Sequence, residues 1–108
     1  MDTPTLADVN IRGVAQRLIE KRLRRNSENL KQLQTELTLL DEQLDALRDD
    51  ANDKDMRSLV SETPLALHEY RDAQKHVEAL LEHRDFLLRA IAEQTRNQDE
   101  LLDRLGKN

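Results

Sequence analysis

The residues with the most obvious chemical potential are three histidines and the carboxylates near them. On a helix, His76 and His83 share a face, but they lie two turns apart, about 10 Å, which is too far to ligate one metal ion. Asp72 stands four residues before His76, the spacing of an ion pair on one helix face. Glu36 of helix one is a further group that could approach this pair. We expect ion pairing here, and we predict no metal site and no cofactor.

Other signatures of catalysis are missing from the sequence. It contains no glycine-rich phosphate loop, no nucleophile elbow and no Glu-x-x-His repeat of a di-metal bundle. It also contains no cysteine, which excludes disulfides and thiolate metal sites. We therefore predict that the protein is not an enzyme and has no catalytic residues.

Charged side chains are segregated along the first half of the chain. The region from Glu36 to Asp55 is strongly acidic, and its candidate functional residues are Asp49, Asp50, Asp53 and Asp55. The region from Arg12 to Arg25 is strongly basic, and its candidate patch is Arg17, Lys21, Arg24 and Arg25. Charge runs are usually solvated faces, so these two groups need a structural context before they indicate a function.

A leucine register predicts the elements that position these groups. From Leu23 to Ala51 the apolar residues recur after a first gap of seven and then at alternating gaps of three and four. From Ala66 to Leu105 the same alternation runs through a second stretch, with some polar residues in it. This is the spacing of helices that pack along their length. The fold class predicted is all-α, an antiparallel coiled-coil helical hairpin of two long helices.

Residues that favour helix starts, helix ends and turns predict the bounds of the elements within one domain covering residues 1–108. Residues 1–4 are predicted as a tail, 5–52 as helix one, 53–62 as an acidic connection and 63–105 as helix two. Thr5 and Asp8 fit a capping box, Thr63 and Pro64 fit a helix start, and Gly106 fits a helix stop. The Asp- and Asn-rich residues after Arg48 favour a turn.

Folding the chain back about residues 53–62 predicts which side chains meet. It places Leu40 opposite Ala73, Leu30 opposite Arg84 and Asn26 opposite Leu87. Asn26 and Arg84 would then be polar interruptions in neighbouring layers of the seam, where they would fix the register of the two helices. Alternatively, the aliphatic part of the Arg84 side chain lies along the seam and its guanidinium group reaches the solvent. A looser glutamine layer is expected beyond them, at positions 16, 94 and 98.

Two apolar groups fall outside this register. Ile11, Val14 and Leu18 share a rotated face, which a third element or a subunit contact would cover. Lys54–Ser61 is expected to form a short turn that folds its apolar side chains over the end of the bundle.

Helix two carries more leucine than a two-helix seam needs. Four leucines lie one position beyond the seam, and we predict that they bind a partner: Leu67, Leu81, Leu88 and Leu102. Burying a leucine side chain contributes about 1.5–3 kcal/mol, so such a flank favours association. The first expectation is a homodimer that forms a four-helix bundle, and the second is a groove for the helix of another protein.

These surfaces predict a non-catalytic protein–protein interaction or scaffold module. One alternative comes from Asp49, Asp50, Asp53 and Asp55, which resemble the carboxylates at the hairpin tips of Gre- and DksA-type factors. That resemblance implies a transcription regulator that presents an acidic tip to RNA polymerase. Another alternative is a nucleic-acid or phosphate contact through the basic end of helix one, although the net charge of −5 argues against general nucleic-acid binding. The N-terminal residues lack a signal-peptide pattern, and no apolar run would span a bilayer, so a cytoplasmic protein without a membrane partner is expected.

Overall fold

Two helices make up nearly all of the described chain. The computed structural model describes the backbone of residues 6–107 and the side chains of residues 10–107, so the predicted tail and Thr5 lie outside it. Helix α1 spans Leu6–Ser61 and helix α2 spans Pro64–Lys107. The prediction of two long helices joined by a short connection is therefore confirmed. Gly13 lies inside α1 and does not interrupt it.

The leucine register is confirmed on both helices. Every residue that the 4-3 spacing of helix two assigns to the seam, from Ala66 to Leu105, is buried or half-buried. The same holds for the Leu23–Ala51 series of α1. The deepest of these side chains is Leu87, which is 1% exposed. Burial of a continuous apolar stripe is what holds such helices together, because helix propensity alone is weak.

The connection between the helices is much shorter than predicted. It consists of Glu62 and Thr63 alone, so the prediction of an acidic connection over 53–62 is wrong. Glu62 has a positive φ of 51°, and its N–H donates to the Ser58 carbonyl at 3.1 Å, a left-handed stop for α1. Thr63 then caps α2, since its Oγ1 accepts a hydrogen bond from the Ala66 N–H at 3.2 Å, and Pro64 occupies the first helical position as predicted.

Local pairing explains why the Asp-rich segment is helical. Lys54 binds Asp50 at 3.1 Å and Arg57 binds Asp53 at 3.0 Å, both at i,i+4 spacing. The segment contains neither Gly nor Pro, and Asp or Asn in a helix interior costs only about 0.7 kcal/mol per residue. These residue types are compatible with a turn, but nothing in the segment forces one. At its other end, α2 continues through the predicted stop at Gly106 to Lys107.

The displaced connection shifts the register between the helices. Arg84 was expected opposite Leu30, yet its Nε donates to Oδ1 of Asp41 at 2.8 Å, eleven residues further along α1. Leu44 and Leu81 line one cavity beside this ion pair, consistent with the same shift. The predicted cross-helix pairs are therefore wrong, although the faces that form them are right.

The chain divides into two compact units, each containing a segment of both helices. One unit comprises Gln34–Ala90, and its buried residues are Leu40, Leu44, Ala51, Ala73 and Leu87. The other comprises the residues up to Leu33 together with those from Ile91, and its buried residues among the described side chains are Ile19, Asn26 and Leu30. The Gln34–Ala90 unit thus has an apolar core, whereas the core of the second unit includes a buried amide.

Candidate interaction surfaces

The four leucines predicted to bind a partner are all exposed. Leu81 retains 38% of its accessible surface, Leu67 and Leu88 retain slightly more, and Leu102 retains 51%. The first three belong to the Gln34–Ala90 unit, where Leu81 borders a cavity of about 370 Å³ shared with Asp45, Arg48 and Arg84. This surface has an apolar ridge with charged side chains at its edge. Protein–protein interfaces commonly have an apolar centre and a polar rim of this kind.

Other apolar side chains, on α1 and around the connection, are exposed to solvent. Ile11 is 67% exposed and Val60 is 85% exposed. The other members of these two groups, all about half exposed or more, are Val14, Leu18, Met56, Leu59 and Leu65. The expectation that Met56, Leu59 and Val60 fold over the end of the bundle is wrong, because α1 carries them outward on a continuous helix. The described residues also supply no third element to cover Ile11, Val14 and Leu18.

Sequence reasoning did not connect each of these exposed apolar groups with the charged residues next to it at the same spacing. Ile11, Val14 and Leu18 are followed at the same 3-4 spacing by Lys21 and Arg25. Toward the other end of α1, Asp49, Asp53, Met56 and Val60 follow the same spacing. Both spacings are present in the sequence, but the second could not be followed past residue 52 while the connection was expected there.

The acidic residues do not lie in the connection. Asp49, Asp50, Asp53 and Asp55 lie on α1, between seven and thirteen residues before Glu62. At 1.5 Å per residue this is roughly 10–20 Å from the end of the helix. Asp50 and Asp53 each form an ion pair with a basic side chain four residues further along α1. The arrangement expected of a carboxylate-tipped hairpin is therefore not reproduced, and action on RNA polymerase stays a prediction without structural support.

The basic patch is exposed and free of acidic partners among the described residues. Arg17, Lys21, Arg24 and Arg25 all lie on the surface of α1. None of them forms an ion pair with another described residue. Their charge is therefore available to an external acidic group, and aromatic side chains that would stack on bases are absent from this stretch of sequence.

The two polar residues that were predicted to interrupt the leucine seam, Asn26 and Arg84, have different environments. Arg84 reaches the surface and pairs with Asp41, with 38% and 45% of the two side chains exposed. Asn26 is only 5% exposed, and its Nδ2 has no hydrogen-bond partner among the described residues. It borders a cavity of about 260 Å³ together with Gln94 and Asn97, not with Leu87. Gln16, predicted in the seam, is exposed and donates to Glu20 at 3.4 Å.

The histidines form no metal-binding group. Nε2 of His68 lies 3.3 Å from Asp72, so this carboxylate pairs one turn toward the N-terminus instead of with His76. His83 stacks on Phe86 with the ring centroids 6.2 Å apart. Within residues 10–107, no three His or acidic side chains converge in a way that could hold a metal ion.

Comparison of the chain with protein-family models, with curated proteins and with solved structures finds no match. No helix in the described part of the chain is apolar enough over a sufficient length to cross a membrane. The surfaces of the two helices are therefore the features of the molecule that bear on its function.

Proposed function

We propose that the protein is a non-catalytic interaction or scaffold module that binds another helix along the leucine surface of α2. The observation that carries this proposal is the exposure of Leu67, Leu81 and Leu88 beside a seam that is already complete. These leucines recur at multiples of seven residues, so they form one ridge along the helix. A helix laid against this ridge would bury it.

The first expected occupant is a second copy of the chain. Two hairpins joined along their α2 leucines form a four-helix bundle, which is a common way for such helices to cover spare apolar surface. The helix of another protein is the alternative occupant. Each leucine keeps about two-fifths of its surface exposed, so complete burial of one contributes on the order of 1 kcal/mol.

The test is to replace Leu81 and Leu88 with Gln and to measure the mass in solution by sedimentation equilibrium. Glutamine keeps the helix propensity, so the change removes apolar surface without breaking α2. We expect the double variant to associate at least about tenfold more weakly than the parent chain, if the occupant is a second copy. If the parent is monomeric, the same variant should lose capture of a helical partner in a pull-down.

The matched control is Phe86→Gln. Phe86 lies in the same unit and is more exposed than either leucine. It precedes Leu88 by two residues, and residues two apart on a helix lie on different sides. The Phe86→Gln variant should associate as strongly as the parent chain. A double leucine variant that behaves like the parent in both mass and capture would remove the leucine surface from the proposal.

A further inference from the structure

One cavity is lined almost entirely by polar side chains, and we call it the Asn26 cavity. Its volume is about 260 Å³, and every described residue that lines it belongs to the unit formed by the residues up to Leu33 and from Ile91. Its polar groups include those of Arg22, Arg25 and Asn26 of α1 and of Gln94, Asn97 and Glu100 of α2. Leu101 is the only apolar side chain among the described residues of the lining. A cavity of this size and polarity suits several waters or one small polar ligand.

The polar groups around the Asn26 cavity are not paired within the described part of the protein. Asn26 is only 5% exposed, yet its Nδ2 has no hydrogen-bond partner there. The guanidinium groups of Arg22 and Arg25 and the carboxylate of Glu100 form no ion pair with a described residue. A buried donor without a partner costs free energy, which an acceptor in the cavity would recover. The χ2 torsion of asparagine is broad, so the amide N–H turns toward such an acceptor at little cost.

The charges of the lining favour an anion as the ligand. Two guanidinium groups and one carboxylate give the lining a net positive charge, which repels a metal ion. Arginine binds oxyanions through parallel N–H···O bonds, and the amides of Gln94 and Asn97 add donors from the other helix. Donors on two facing helices suit a tetrahedral oxyanion, because its oxygens point in four directions.

We propose that the Asn26 cavity binds inorganic phosphate in a form that carries a proton. Arg22 and Arg25 bind its ionised oxygens, and the Asn26 amide donates to another oxygen. Glu100 accepts a hydrogen bond from the P–OH group. A carboxylate repels a fully ionised oxyanion but accepts a hydrogen bond from one that keeps a proton. Phosphate keeps a proton at neutral pH and sulfate keeps none, so Glu100 makes the site selective for phosphate.

The phosphate site does not depend on the leucine surface proposed for partner binding. Leu67, Leu81 and Leu88 belong to the Gln34–Ala90 unit, whereas the residues around the Asn26 cavity belong to the other unit. Phosphate binding and association are measured separately, so the failure of one proposal leaves the other standing.

Nuclear magnetic resonance locates the ligand on the full chain. Inorganic phosphate is titrated into the ¹⁵N-labelled protein in a phosphate-free buffer, and the Asn26 side-chain amide signals are assigned by their absence from Asn26→Leu. We expect these signals to shift saturably, with a Kd of about 1 mM or tighter. In calorimetric titrations, Asn26→Leu should bind phosphate at least about tenfold more weakly than the parent chain.

A pair of adjacent arginines separates a specific site from general attraction. Arg25→Gln removes a charge that lines the Asn26 cavity, and it should weaken phosphate binding at least about tenfold. The matched control is Arg24→Gln, which removes the same charge from an exposed side chain that does not line this cavity. At physiological salt the control should change the affinity by less than about threefold.

Glu100→Gln tests the recognition of the proton. Glutamine keeps an acceptor but removes the negative charge. The parent chain should bind sulfate at least about tenfold more weakly than phosphate, and Glu100→Gln should bring the two affinities within about threefold of each other. The control is Glu93→Gln, an exposed residue of the same unit that does not line the cavity, which should keep the parent preference.

An esterified phosphate is the other source of the same chemistry, and glycerol 3-phosphate serves as its probe. A phosphate monoester loses its last proton near pH 6, so at about pH 7.5 it lacks the P–OH group that Glu100 accepts. We expect it to bind at least about tenfold more weakly than inorganic phosphate at that pH. Equal or tighter binding of the ester would overturn the choice of inorganic phosphate.

Circular dichroism on every variant establishes that the helices are intact. No saturable shift of the Asn26 signals up to about 10 mM phosphate would mean that the cavity contains only water, and the site would be rejected. Equal losses in Arg25→Gln and Arg24→Gln would reduce the binding to general attraction. A parent chain without preference for phosphate over sulfate, or a preference that survives in Glu100→Gln, would contradict the recognition of a protonated oxyanion.

Discussion

Asn26 is the residue at which the cost of a polar group in the seam is easiest to measure. Its side chain is buried, and Nδ2 makes no hydrogen bond within the described residues. An unsatisfied buried donor costs about 1–3 kcal/mol, whereas leucine at the same position would add apolar burial. We therefore predict that Asn26→Leu raises the free energy of unfolding by about 1–2 kcal/mol in urea titrations.

The matched control for this residue is Asn29→Leu. Asn29 is exposed and lines the same cavity, so its replacement should change stability by less than about 0.5 kcal/mol. A loss of stability in Asn26→Leu would mean that the amide is satisfied in solution. A polar residue in a seam can also fix the register, so a gain in stability accompanied by a broader unfolding transition would assign that role to Asn26.

At the scale of the helix, the sequence predicts faces better than ends. Leucine spacing reports burial directly, which is why the seam residues from Leu23 to Ala51 and from Ala66 to Leu105 were predicted correctly. The Asp- and Asn-rich segment has only a weak preference for turns. Ion pairs such as Asp53–Arg57 stabilise the helix and outweigh that preference. The misplaced connection in turn moved the expected partner of Arg84 from Asp41 to Leu30. The identity of a surface was thus predictable, but its position relative to the other helix was not.

The end of α1 gives a direct test of where the connection lies. Glu62 adopts a left-handed conformation, which costs a non-glycine residue about 1 kcal/mol. We predict that Glu62→Gly stabilises the protein by about 0.5–1 kcal/mol, measured as a rise in the midpoint of urea unfolding. The control is Glu69→Gly within α2, which should destabilise by about 1 kcal/mol. If both changes are destabilising, residue 62 is helical and the connection lies elsewhere.

At the scale of the whole molecule, the two compact units differ in the quality of their cores. The Gln34–Ala90 unit buries leucines and alanines without a buried polar residue among its described side chains. The other unit places Asn26, Gln94 and Gln98 at seam positions, and Asn26 is buried without a partner. Local opening requires less free energy where less apolar surface is buried, so the two units should differ in dynamics.

Native-state hydrogen exchange measures this difference. We predict that backbone amides of Leu23–Leu30 exchange at least about tenfold faster than those of Leu40–Ala51, because opening the more polar core exposes less apolar surface. Both stretches lie inside α1, which removes helix ends as the cause. Asn26→Leu should slow exchange in the first stretch and leave the second unchanged. Equal protection in the parent chain would instead mean that both cores open in one cooperative step, and the variant would then slow exchange in both stretches together.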